Sequence, residues 1–101
     1  MKDAFVEVSE ANKYQTVLAV SPIRVFKVKL IIENVSTADA TVTVRDYYYT
    51  IDNTDIADVK FVKLVKAGET VEVEDLVVRS QLQVMSDNVP VRVICTIKNE
   101  K

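Results

Sequence analysis

The sequence predicts an all-β fold: a single antiparallel β-sandwich of about seven or eight strands, jelly-roll or immunoglobulin-like in its connections. Three observations predict it. Apolar and polar residues alternate with period two through most of the apolar segments. Turn-forming residues punctuate the chain at short, regular intervals, as in sandwiches and small barrels. No segment carries the three-and-four spacing of a helix long enough to span one face of a core.

The segments follow in order. "AFVEV" near the start is either an eighth strand or, with the rest of residues 1–12, an arm lying on a neighbouring edge. "YQTVLAV" is short, apolar and stopped by Ser21-Pro22. In "RVFKVKLIIE", Phe26, Val28, Leu30 and Ile32 form one apolar row, with Lys27, Lys29 and Glu33 on the other face. "ATVTVR" puts Ala40, Val42 and Val44 on one side and Thr41, Thr43 and Arg45 on the other; Asp46 then falls on the apolar parity and leaves the register of "DYYY" open. "DVKFVKLVK" is irregular: Val59 and Phe61 share a row with Lys63, and a bulge near Val62 would restore the pattern. "ETVEVE" and "SQLQV" alternate cleanly. In "VPVRVICTIK", Val89, Val91, Val93, Cys95 and Ile97 make the row. Ser36 to Asp39, Asp52 to Asp55, Ala67-Gly68 and Ser86 to Asn88 carry turn chemistry.

Composition bounds the function. The 101 residues suffice for one domain, residues 1–101, and 49% are hydrophobic, enough to bury a core. A net charge of −2 argues against a nucleic-acid partner, which calls for a basic surface. No apolar run reaches the roughly 20 residues of a membrane helix, so no membrane partner is expected. "MKDAFVEVSE" lacks the apolar stretch of a signal peptide, so the expectation is a protein made in a cytoplasm and not secreted that way. One cysteine cannot form an internal disulfide. Without histidine, the commonest general base and metal ligand is missing; with one glycine, no phosphate loop can be built. The expectation is no enzyme, no catalytic residue, no cofactor and no metal.

Each remaining candidate has two readings. Asn34-Val35-Ser36 matches a glycosylation triplet, or it is a loop in which Asn34 and Ser36 bond nearby backbone groups; the second is expected. The carboxylates Asp39, Asp46, Asp52, Asp55 and Asp58 suggest paired acid–base chemistry or a calcium site, with several oxygens offered by "DNTD" at Asp52 to Asp55, or else a solvated loop there; the second is expected. Arg24, Lys27 and Lys29 are a basic stripe that nearby acids dilute. Cys95 is a buried thiol. Tyr47, Tyr48 and Tyr49 either pack the sheet edge or meet a partner, since tyrosine is favoured at interfaces. Phe5, Val62, Leu64, Met85 and Ile94 lie off the main apolar rows, and facing outward together they would make a patch for self-association.

The segment order also resembles a family. "FKVKLIIENVSTADATVTV", "VKLVKAGETVEVEDLVV" and "SQLQVMSDNVPVRVICTI" are similar to the pattern of small β-sandwich structural proteins of tailed bacteriophage virions. Ile31, Asn34, Ser36, Ala40, Val42 and Val44 fill the hairpin of that pattern, Ala67 to Thr70 its turn, and Leu82, Val84 and Ser86 its penultimate strand. The likeness spans about residues 14 to 98. It implies a homo-oligomer, often a trimer, attached to a capsid, connector or tail protein as a decoration or head–tail accessory subunit in the virion. It implies no catalytic residues. The rival expectation is an immunoglobulin-like or carbohydrate-binding sandwich that uses the tyrosines and the Asp52–Asp55 loop.

Overall fold

The computed structural model describes residues 4–19, 26–49, 51–52 and 54–100, the side chains of 99 and 100 aside. Eight strands form: β1 Ala4–Val8, β2 Gln15–Ala19, β3 Phe26–Asn34, β4 Ala40–Tyr49, β5 Asp55–Val65, β6 Thr70–Val78, β7 Gln81–Ser86 and β8 Val91–Glu100. They make two four-stranded antiparallel sheets, one in the order β1-β8-β3-β6 and the other β2-β7-β4-β5. Among these strands only β4 and β5 are a hairpin within one sheet; each other consecutive pair crosses between sheets. That order is the jelly roll's, two Greek keys wound together, and differs from the immunoglobulin arrangement. "AFVEV" is thus a strand, paired with β8, rather than an arm.

The alternation expected of each segment decides which side it buries. Val28, Leu30 and Ile32 of β3, Val42 and Val44 of β4, Leu82 and Val84 of β7, and Val91, Val93 and Cys95 of β8 are fully buried between the sheets. Each fully buried aliphatic side chain contributes about 1.5–3 kcal/mol. Bulges then set what the alternation alone does not. Val17 interrupts β2, Lys60 interrupts β5, and extra residues in β6 and β8 flank β3. The β5 bulge lies at Lys60, two residues before the position expected, because Arg45 pairs with Val59 while Val44 pairs with Phe61. Val59 and Phe61 therefore face opposite ways instead of sharing a row. Ser21-Pro22 and Arg24 lie outside the described residues.

The links gather at two ends. One end holds the turns 9–14, 35–39, 66–69 and 87–90; the other holds the β4–β5 tip and the two-residue corner Arg79-Ser80 between β6 and β7. At the first end Gly68 closes its turn with φ +78, where a side chain would meet no neighbour but the backbone favours glycine.

Candidate functional site

The opening loop of β4 is a hydrogen-bonded lattice. Asn34 is buried, and its Nδ2 donates to the carbonyls of Ala38 (2.8 Å) and Val65 (2.9 Å). Its Oδ1 accepts from the Ser36 backbone N–H at 3.0 Å and lies 2.7 Å from the Ser36 hydroxyl. Asn88 Nδ2 donates to Ser36 Oγ and to the Ala38 carbonyl, Asp39 accepts from the Ala67 N–H, and Asp87 accepts from the Thr41 N–H. Both N–H bonds of the Asn34 amide are in use and out of water, so the triplet is the loop expected of it and not an accessible sugar acceptor.

The carboxylates are dispersed. Asp46 lies inside the sandwich, fully buried, where it accepts the backbone N–H groups of Arg79 (2.9 Å) and Ser80 (3.3 Å). It caps the β6–β7 corner. Asp58 sits opposite it on β5 and pairs with Lys60 at 3.1 Å. Asp52 accepts from Thr54 and Asp55 accepts from Tyr47. Among the described residues no three acidic or cysteine side chains converge on a common point. Cys95 is buried in the inner row of β8.

The three tyrosines divide between two surfaces because alternation runs straight through Asp46. Tyr47 and Tyr49 face outward from the β2-β7-β4-β5 sheet, with ring centroids 5.7 Å apart in an edge-to-face contact. The Tyr47 hydroxyl donates to Asp55 at 2.8 Å. That bond to a carboxylate, and the neighbouring Tyr49, push the Tyr47 phenol up to about 12. Tyr48 takes the other parity, opposite Ile56, and its hydroxyl accepts from Arg79 Nη1 at 3.0 Å. Next to Tyr47 on the outer face, the Arg45 guanidinium lies 3.6 Å from the centroid of Tyr14 and 5.4 Å from that of Tyr47, with Nε donating to Gln83.

The apolar residues read as one patch are on two faces. Val62 and Met85 flank Thr43 on the outer face of the β2-β7-β4-β5 sheet, with Leu64 in the next outward row. Phe5 and Ile94 are cross-strand partners on the outer face of the opposite sheet, and Ile31 extends their row. The two groups are separated by the thickness of the sandwich. Sequence reasoning missed Val59 and Ile51. The bulge turns Val59 outward beside Val62 and Leu64, and the three are 52%, 58% and 52% exposed. Ile51 stands fully exposed at the β4–β5 tip, where a lone apolar residue among turn formers gives no periodic signal.

The two outer faces differ in chemistry. Across β8, β3 and β6 runs a charge ladder: Lys29 reaches Glu72 (3.1 Å) and Glu74 (3.6 Å), and Lys98 reaches Glu74 (2.7 Å) and Asp75 (3.7 Å). Glu72 raises Lys29, Glu74 raises Lys98, and Lys98 holds Glu74 below its ordinary value. Lys29 of the basic stripe is thereby neutralised by its neighbours. The β5 side of the other sheet carries apolar and aromatic groups instead.

Comparison of the chain with protein-family models, curated proteins and solved structures found no match.

Proposed function

We propose that this chain is a non-enzymatic virion structural protein: a self-associating capsid-decoration, head–tail or tail accessory subunit. The observation that carries the reading is the outward row of β5. Val59, Val62 and Leu64 are each more than half exposed along a sheet edge. Apolar side chains lined up on an open edge gain by being covered, and association supplies the cover. The resemblance of the segment pattern to virion proteins supplies the setting: a protein partner in the capsid, connector or tail, with Tyr47, Tyr49 and Ile51 as a second contact at the β4–β5 tip. No nucleic acid or membrane enters the role. Light scattering of the pure chain through the micromolar range tests self-association; a monomer throughout would overturn it. Capsid, portal or tail genes beside the gene for this chain are expected, and their absence would remove the virion setting.

A second reading, a carbohydrate-binding or other recognition module, is favoured by one feature: the outward Tyr47–Tyr49 pair with Asp55 bonded to its rim. A glycan array and a calcium titration separate the two readings, and silence in both removes the second.

A further inference from the structure

We infer that the open edge of β5 pairs with β5 of a second copy, antiparallel about a twofold axis, which joins two four-stranded sheets into one of eight. This rests on the self-association proposed above and commits it to a surface and a register.

Of the four edge strands, β1 and β2 are five residues each and lie against each other across the sheets, so the long edges are β5 and β6. β5 is paired only with β4, so alternate backbone N–H and C=O groups along it point away from the sheet. The charges on the two edges differ. β6 carries Glu72, Glu74 and Asp75, and two copies of it would repel. β5 is polarised: Asp55 and Asp58 in its first half, Lys60 and Lys63 in its second, and Lys66 just beyond. An antiparallel second copy brings each half against its opposite. Among the described residues the ammonium groups of Lys63 and Lys66 have no ion-pair partner within the chain.

One register satisfies the charges and the apolar residues together. With Asp58 opposite Lys63 of the second copy, Asp55 meets Lys66, Ala57 meets Leu64, and Val59 meets Val62, each contact made twice by the symmetry. In an unbroken strand Asp58 and Lys63, five residues apart, would point to opposite faces, and this pairing would be closed to them. The bulge at Lys60 shifts the phase by one residue. Asp58 and Lys63 then share the inner parity, while Val59 and Val62 share the outer one. A bulge and an inward lysine are devices that keep foreign strands off a sheet edge. Here an incoming β5 answers both, since it brings an aspartate to the lysine and its own bulge to the bulge.

Sedimentation equilibrium of the full chain at low salt, over a concentration series, is expected to show a monomer–dimer equilibrium. Lys63→Glu sets like charges together at two symmetric places and is expected to weaken the dimer about ten-fold or more; Asp58→Lys does the same. The combined Asp58→Lys/Lys63→Glu variant is expected to return to within about two-fold of the original. Glu7→Lys, an exposed change on β1 at the far side, is expected to leave it unaltered. Failure of the double variant to recover dimerisation, with the monomer still folded by circular dichroism, would overturn the register. A trimer indifferent to these changes would overturn the β5 pairing and leave self-association standing; a monomer at every concentration would overturn both.

Discussion

A buried polar side chain sits at each end of the sandwich, Asn34 at one and Asp46 at the other, and these two make opposite hydrogen-bonding demands. Asn34 donates to two carbonyls and accepts from Ser36. Asp46 only accepts, from two consecutive backbone N–H groups. The surroundings explain the difference. Around Asn34, loops from three links arrive with both carbonyls and N–H groups unspent, and a primary amide is the side chain that serves both. The Arg79-Ser80 corner turns from one sheet to the other in two residues and presents N–H groups, which a carboxylate takes at no cost in unused donors. The identity of a buried polar residue is set here by which backbone groups the topology leaves over.

Exchanging the two chemistries breaks the comparison in the most direct way. Asn34→Asp keeps the shape but turns an oxygen toward the Ala38 and Val65 carbonyls; the expected loss is about 3 kcal/mol or more, read by urea denaturation. A cost below about 1 kcal/mol would mean that these donors do not hold the loop end. Asp46→Asn is expected to cost less, about 1–2 kcal/mol. One oxygen still accepts, and removal of the charge relieves the like charge of Asp58 directly opposite. If it costs as much as Asn34→Asp, the two ends are equally intolerant and the contrast fails.

Gly68→Ala sharpens the loop end. No neighbour obstructs the new methyl group, so the expected cost of about 1–2 kcal/mol is conformational alone. Gly68→Asn, which tolerates positive φ better, is expected to recover part of it in thermal denaturation. At the other end the finest test is spectroscopic. Absorbance titration should show one tyrosine ionising near 12, and Asp55→Asn should lower it toward the ordinary value of 10. The sign follows from the bond. The folded state favours the neutral phenol, so the contribution is whole below pH 10 and is lost as the pH rises through about 12.

How far these features could be seen in the sequence depends on the kind of signal each leaves. β3 was plain: Phe26, Val28, Leu30 and Ile32 keep period two without a break, and all four are buried. The two-sheet class followed from such rows, but the strand order did not, because alternation is the same in a jelly roll and an immunoglobulin sandwich. Asp46 was legible as an oddity in an apolar row and not as an interior residue, since its reason lies in a corner more than 30 positions away. The division of the tyrosines followed once Asp46 was allowed inside. The patch imagined from Phe5, Val62, Leu64, Met85 and Ile94 was split because parity tells which residues leave the core but not from which sheet they leave it. The Arg45–Tyr14 stack joins residues from a link and a strand with no sequence pattern connecting them.

The β5 bulge has a genetic corollary. Removing one codon inside a strand ordinarily reverses the facing of every side chain beyond the lesion, which empties the core on one side of the cut. Lys60 is the exception: it is the supernumerary residue against β4, so a chain lacking it can run as an unbroken ladder with Val59 still outward, Phe61 still inward and Val65 still in the core. β5 thus carries one spare letter, and it is the only place among its eleven residues where a length change is neutral to the alternation on either side.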